Sequence, residues 1–192
     1  MDNQFWRLPR YFKIRLSLSR IFISFIIISM TLTAHLALAT AVSASARFSL
    51  PGAFLFGLIS HHLLDFIPHL DAGSFWSVED QKAGIMPVRV RILILIDVLL
   101  SLGYLFWLGW GLKIGLPLLF WASLGAALPD LIVTGFPFFI PKLRDWSLVK
   151  QYEKLHYILF REAQDAPSSG YWILSIFSTI LIIGVSFWLL LK

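Results

Sequence analysis

The segment from Ser60 to Asp71, SHHLLDFIPHLD, concentrates side chains that bind metal ions or transfer protons. Three of the five histidines of the chain and two of its eleven acidic residues lie in it. Imidazole nitrogens and carboxylate oxygens are ligands of Zn²⁺, Mn²⁺ and Fe²⁺ in proteins. The chain has no cysteine, which excludes a thiolate metal site. The segment therefore predicts either a metal site or a pathway for protons or ions.

Helical spacing divides the histidines of this segment into different roles. His61 and Asp65 are four residues apart and share a helix face, and His62 and Asp65 are three apart. Because neighbouring helix positions differ by about 100°, His61 and His62 are not expected to face one centre together, and His62 is interpreted as a packing residue. His69 follows Pro68, where the helix is expected to end, so its side chain is free to fold back over the site.

The composition places this segment in a membrane protein. The chain has 192 residues, 58% of them hydrophobic, and a mean hydropathy of +0.78, and several apolar runs approach the ~20 residues that cross a bilayer. The net charge of +5 would suit a nucleic-acid partner in a soluble chain. In a membrane protein, basic residues at cytoplasmic helix ends give the same balance, so we predict membrane lipid as a partner and no nucleic acid.

The positions of the apolar runs predict an all-α fold, a polytopic membrane helix bundle of about five membrane helices plus one amphipathic cytoplasmic helix. A basic interfacial segment, residues 1–20, precedes a single transmembrane domain, residues 21–192. The expected helices are about 21–46, 50–67, 88–112, 114–134, 142–161 (amphipathic) and 171–191.

The distribution of Lys and Arg predicts the orientation. Nearly all of them fall in the N-terminal segment and in regions 69–91 and 138–169. Five spans with the N-terminus inside place these regions in the cytoplasm, as the positive-inside rule requires. We therefore expect an integral protein of a bacterial-type cytoplasmic membrane, with helix 50–67 tilted or incompletely spanning because it is short.

Helical geometry predicts which polar groups share a depth. A turn near residues 48–49 brings His35 level with His61, with Asp65 about 6 Å nearer the cytoplasm. A turn near residue 113 brings Asp97 level with Asp130 in the same way. An ionisable group at the centre of a membrane helix costs about 2.5–3.5 kcal/mol, so these groups are expected to face the bundle interior and share partners. One metal ion would satisfy them all.

Two other uses of the same groups stay open from spacing alone. A buried metal that only holds the bundle together would be closed by four protein ligands, whereas a catalytic ion keeps an open position. A proton or ion transporter would need a continuous polar path, yet the outer half of the first four helices carries few ionisable groups. His156, one turn after Tyr152, suits either the mouth of the site or the membrane interface.

Four stretches together resemble a known family. They are TAHLALATAVS around His35, GLISHHLLDFIPHLD, SLGAALPDLI around Asp130, and LHYILF around His156. Over roughly residues 31–160 they resemble the bacterial membrane-bound metal-dependent hydrolases, a LexA-regulated inner-membrane family that is distantly similar to zinc-dependent phospholipase C.

The resemblance implies a metal-dependent hydrolase, acting on phosphoesters at the cytoplasmic membrane face. Its motifs mark a candidate metal-binding set, with His156 as a further member: His35, His61, Asp65, His69 and Asp130. We assign Asp97, from its depth, and His156 to general-base or orienting roles. The expected cofactor is a divalent transition metal, Zn²⁺ before Mn²⁺ or Fe²⁺, and the expected substrate is a lipid or lipid-linked phosphate. No Ser or Cys is placed relative to a His in a way that suggests a covalent nucleophile, so metal-activated water is the simpler chemistry.

Overall fold

The structure is a computed structural model, and it describes residues 32–67, 86–159 and 169–192. Within these ranges every regular element is helical, which confirms the predicted all-α class. The elements are α1 (Leu32–Ser45), α2 (Leu50–Asp65), α3 (Val88–Trp110), α4 (Leu116–Asp130), a π-helix (Leu131–Gly135), α5 (Phe136–Phe139), a 3₁₀ helix (Pro141–Asp145), α6 (Ser147–Leu159) and α7 (Ser169–Leu191). The basic segment 1–20, the predicted start of the first helix and His69 lie outside the described residues.

Within the part of the chain that the structure describes, three helical segments are long and apolar enough to cross a membrane: Val88–Trp110, Leu116–Gly135 and Ile173–Leu191. Many of their large apolar side chains point outward, while buried Ser, Thr, His and Asp side chains lie inside the bundle. An apolar exterior around a polar interior is the pattern expected in lipid. The predicted five spans are not established: the described part of α1 has 14 residues and α2 has 16, fewer than the ~20 that a bilayer requires.

The two predicted tight turns are present, and each contains a residue in the left-handed region. Arg47 (φ 54°) lies between α1 and α2, and Lys113 (φ 58°) lies between α3 and α4. After Arg47, the amide of Phe48 donates to the carbonyl of Ser43 at 3.0 Å, which closes the end of α1. These short connections make α1 and α2 antiparallel, which is the geometry the depth prediction assumed.

The closest helix pair is α2 with α4, which are not neighbours in the chain. A Cβ on Gly57 would overlap the carbonyl oxygen of Ala122, and one on Gly125 would overlap the carbonyl oxygen of Phe54. The two backbones therefore touch, as at crossings of small residues in membrane proteins. His61 lies one turn beyond Gly57, so this crossing sets its position relative to α4.

The predicted helix 114–134 is not uniform. α4 ends at Asp130, directly after Pro129, and the chain continues as the π-helix Leu131–Gly135. Pro137 follows this segment; a proline lacks an amide hydrogen and disturbs the helix on its N-terminal side, which accounts for the change of helix type here. Single π-helical turns of this kind occur frequently at functional sites.

Candidate metal centre

Six histidine and aspartate side chains converge where α1, α2, α4 and α6 meet. Their ligand atoms form three groups, each with all members within 4.8 Å of one another, that could hold a metal ion. The groups are His35, His61 and Asp65; His61, Asp130 and His156; and His62, Asp65 and His156. Residues far apart in the sequence thus meet at one place in the bundle.

Asp65 is the centre of this cluster. Its residue is 7% exposed, and imidazole nitrogens face its carboxylate from three helices. The distances from its oxygens are 3.6 Å to His35 Nε2, 3.3 Å to His61 Nε2, 3.7 Å to His62 Nδ1 and 3.9 Å to His156 Nδ1. It therefore connects α1, α2 and α6 through buried polar groups.

These distances suit the ligands of a metal ion. Hydrogen bonds between nitrogen and oxygen have lengths of about 2.7–3.2 Å. Two ligand atoms at about 2.1 Å from a tetrahedral ion are about 3.4 Å apart. The separations of 3.3 and 3.6 Å that join Asp65 to His61 and His35 match that second value. The donor chemistry and the spacing of the residues both fit a divalent transition metal.

His61 has its ring orientation fixed by the backbone of α4. Its Nδ1 lies 2.7 Å from the carbonyl oxygen of Ala126. A carbonyl oxygen only accepts, so Nδ1 donates, and in the neutral ring Nε2 then carries the lone pair. That nitrogen faces Asp65 at 3.3 Å and Asp130 at 3.6 Å. Metal-binding histidines typically hold their second nitrogen in this way, which raises the basicity of the ligand nitrogen.

The helix geometry adds a negative potential at the cluster. Asp65 is the last residue of α2, so it stands where the backbone carbonyls give the helix its negative end. A carboxylate is unfavourable at this helix end unless cationic groups lie near it. The groups that surround Asp65 are histidines of its own turn and of other helices. The local field therefore favours a cation at this position.

Asp130 provides the open side of the cluster. Its side chain is 44% exposed, whereas that of Asp65 is 1% exposed. It lies 3.6 Å from His61 Nε2 and 3.9 Å from His156 Nε2. A small molecule approaching the cluster would therefore meet Asp130 before the buried carboxylate of Asp65.

The amphipathic helix α6 covers the cluster with two residues one turn apart. His156 is 8% exposed, and its ring stacks near that of His61 with centroids 5.8 Å apart. The hydroxyl of Tyr152 lies 3.0 Å from His62 Nε2. Burial, with the negative charges of Asp130 and Asp65 nearby, raises the pKa of Tyr152 to about 12, so this hydroxyl keeps its proton at neutral pH.

Asp97 occupies different surroundings from those predicted. Its carboxylate accepts from the amides of Leu32 and Thr33 at 2.9 and 3.1 Å, and from the Thr33 hydroxyl at 2.6 Å. It thus caps the N-terminus of α1, where the helix dipole favours a negative charge. None of the three ligand groups includes Asp97. Its predicted pairing with Asp130 assumed that neighbouring helices pair, whereas α4 packs most closely on α2.

The sequence located five of the six side chains of this cluster and missed His62 and the tyrosine beside it. His35, His61, Asp65, Asp130 and His156 meet, as the depth argument and the resemblance together suggested. His62, interpreted as a packing residue, also faces Asp65, and Tyr152 holds its ring. Both had a spacing signal: His62 is three residues before Asp65, and Tyr152 is four before His156.

No protein-family model, curated protein or solved structure matches the chain.

Proposed function

We propose that the chain is an integral membrane metal-dependent hydrolase that acts on phosphoesters at the cytoplasmic face of the membrane. The observation that carries this proposal is the buried carboxylate of Asp65, which imidazole nitrogens from three helices face at 3.3–3.9 Å. Such a donor set suits a divalent transition metal, Zn²⁺ before Mn²⁺ or Fe²⁺. When bound, an ion of this kind activates water and polarises a phosphoryl oxygen.

The residues of the chain divide into three tasks in this proposal. His35, His61, Asp65 and Asp130 bind the ion, with His61 oriented by the carbonyl of Ala126. His156, beside the exposed Asp130, takes a proton from the attacking water. Asp97 is a positioning residue that acts through α1: by capping Leu32 and Thr33, it fixes the turn that carries His35.

The substrate class follows from the location and charge of the opening. Lys142 is exposed on the 3₁₀ helix that follows Asp130, and Lys150 and Lys154 are exposed on α6, which covers the cluster. Their charges attract an anionic substrate. With five spans and the N-terminus inside a bacterial-type cytoplasmic membrane, these lysines lie at the inner leaflet, which suits a lipid or lipid-linked phosphate.

The test compares the full chain, purified in detergent, with its His61→Ala and Asp65→Ala variants. Elemental analysis measures the bound metal, and hydrolysis is followed with phospholipids and a chromogenic phosphodiester. We expect the wild type to contain metal and to hydrolyse a phosphodiester, and both variants to lose metal and rate together. Unchanged rates in metal-free variants would contradict the enzyme proposal.

A second candidate function is a non-catalytic membrane protein with a structural metal. It is favoured by one observation, that Asp65 connects α1, α2 and α6 through buried contacts. Bound metal without hydrolysis of any phosphoester, together with a lower melting temperature after metal removal, would support this candidate over the enzyme.

A further inference from the structure

The cluster contains more donors than one ion needs. A tetrahedral ion takes four ligands, and a catalytic one takes three from the protein. Six side chains meet here, and their ligand atoms gather in groups of three. This count of six includes only the residues that the structure describes.

Two of the three groups use different histidines. His35 and His61 belong to one of them, His62 and His156 belong to another, and Asp65 belongs to both. A ring nitrogen binds one ion, whereas a carboxylate has two oxygens and can bind two. Oδ1 of Asp65 faces His35 at 3.6 Å, and Oδ2 faces His61 at 3.3 Å and His62 at 3.7 Å. Histidines of both pairs therefore face this one carboxylate.

Asp130 connects the same two pairs on the open side. Its Oδ1 lies 3.6 Å from Nε2 of His61, which belongs to the first pair, and 3.9 Å from Nε2 of His156, which belongs to the second. Both carboxylates of the cluster thus lie between the pairs, where negative charge separates two cations.

The contact between α6 and α2 prepares His62 for binding. Its Nε2 lies 3.0 Å from the Tyr152 hydroxyl. When Nε2–H donates to that oxygen, Nδ1 carries the lone pair, and Nδ1 is the nitrogen that faces Asp65. This second histidine thus has an orienting partner, as His61 has in the carbonyl of Ala126.

We propose that the cluster holds two divalent ions: His35 and His61 bind one, His62 and His156 bind the other, and Asp65 is shared between them. Pairs of ions about 3.5–4 Å apart stabilise both the attacking and the leaving oxygen in phosphoryl-transfer enzymes, so this arrangement suits a phosphoester substrate. The inference rests on the metal-binding part of the proposed function, and it makes His156 a ligand of the second ion in place of the proton acceptor assigned to it there.

The experiment loads the full chain in detergent micelles with Mn²⁺ and measures two properties. Equilibrium dialysis with elemental analysis gives the number of ions per chain, and electron paramagnetic resonance reports whether they are coupled through a shared ligand. We expect two ions per chain with an exchange-coupled spectrum. His35→Gln and His62→Gln are each expected to retain one ion and lose the coupling. Asp145→Asn, which changes an exposed carboxylate paired with Lys150, is the matched control and is expected to retain both ions.

One ion per wild-type chain at saturation would overturn the inference, and so would two ions with the spectrum of isolated Mn²⁺. Both readings come from the wild type, so the test stands even where a variant does not fold. The outcome also separates the two proposals. Hydrolysis with one ion leaves the enzyme proposal intact and removes the second ion, whereas two coupled ions without hydrolysis do the reverse.

Discussion

Asp65 and Asp97 are two buried carboxylates in the same apolar bundle, 7% and 5% exposed, with opposite surroundings. Asp97 lies at the positive end of α1 and accepts hydrogen bonds of 2.6–3.1 Å from amide and hydroxyl groups of Leu32 and Thr33. Asp65 lies at the negative end of α2 and is faced by imidazole nitrogens at 3.3–3.9 Å. The same residue type at the same burial thus serves a helix in one place and suits a cation in the other.

The role of a buried acid in a membrane helix is indicated by its neighbours and not by its burial. Its burial shows only that the charge must be compensated, because an isolated carboxylate is very costly away from water. The kind of neighbour and its distance show how. The charge of Asp97 is compensated by amide and hydroxyl donors of the chain at hydrogen-bond length. Asp65 is faced by imidazole nitrogens at the spacing of metal ligands, which makes it a candidate for binding an ion.

Replacing Asp65 should have the largest effect on metal binding. Asp65→Asn removes the negative charge that both histidine pairs face, and we expect metal affinity to fall at least about 100-fold, since even residues behind the ligands cost 10–100-fold. Competition with a chelating dye measures the affinity. Asp145→Asn on the exposed surface is the control, and equal affinity in the two variants would contradict the role of Asp65.

A substitution at the crossing of α2 and α4 should have the next largest effect on metal binding. Gly125→Ala forces a methyl group against the Phe54 carbonyl, so we expect a loss of about 1–3 kcal/mol in unfolding free energy and weaker metal binding as His61 shifts. Urea unfolding in mixed micelles measures the first, and dye competition the second. Gly103→Ala, whose new methyl group meets open space inside α3, should not lower the unfolding free energy. Equal effects of the two substitutions would argue against the close crossing.

Asp97→Asn should give the reverse of the Asp65 result. Losing the charge that caps α1 should lower the free energy of unfolding by about 1–3 kcal/mol, because charged hydrogen bonds and helix caps have this magnitude. The number of bound ions should stay as in the wild type, because Asp97 belongs to none of the ligand groups. Thermal unfolding and elemental analysis of one preparation check both statements, and a loss of metal without loss of stability would place Asp97 among the ligands.

Tyr152→Phe should have the smallest effect. It removes the hydroxyl that orients His62 and leaves every ligand atom in place, and a hydrogen bond of about 0.5–1.5 kcal/mol corresponds to roughly a 2–10-fold weaker affinity for metal. Titration with Mn²⁺ measures this change. Tyr104→Phe is the matched control, because the Tyr104 hydroxyl lies near the Ala37 carbonyl, at 3.5 Å, in the α1–α3 region. The same affinity change in both variants would remove the orienting role of Tyr152.

The sequence alone determined the helical class, the two tight turns and the meeting of His35 with His61, whose rings stack with centroids 4.2 Å apart. These follow from local rules: apolar runs set helices, a short turn forces antiparallel neighbours, and a fixed rise of about 1.5 Å per residue sets depth. The same rules placed Asp97 level with Asp130, whereas its carboxylate contacts α1, because depth does not specify which helices touch.

The contacts between helices depend on tertiary packing. The backbone approach of Gly57 and Gly125 joins α2 to α4, and through it the Ala126 carbonyl fixes the ring of His61. The docking of α6 then brings Tyr152 and His156 over the cluster. Each depends on how two surfaces fit together across long stretches of chain, which no spacing within one helix specifies. For the same reason the contact between His62 and the Tyr152 hydroxyl depends on the docking of α6.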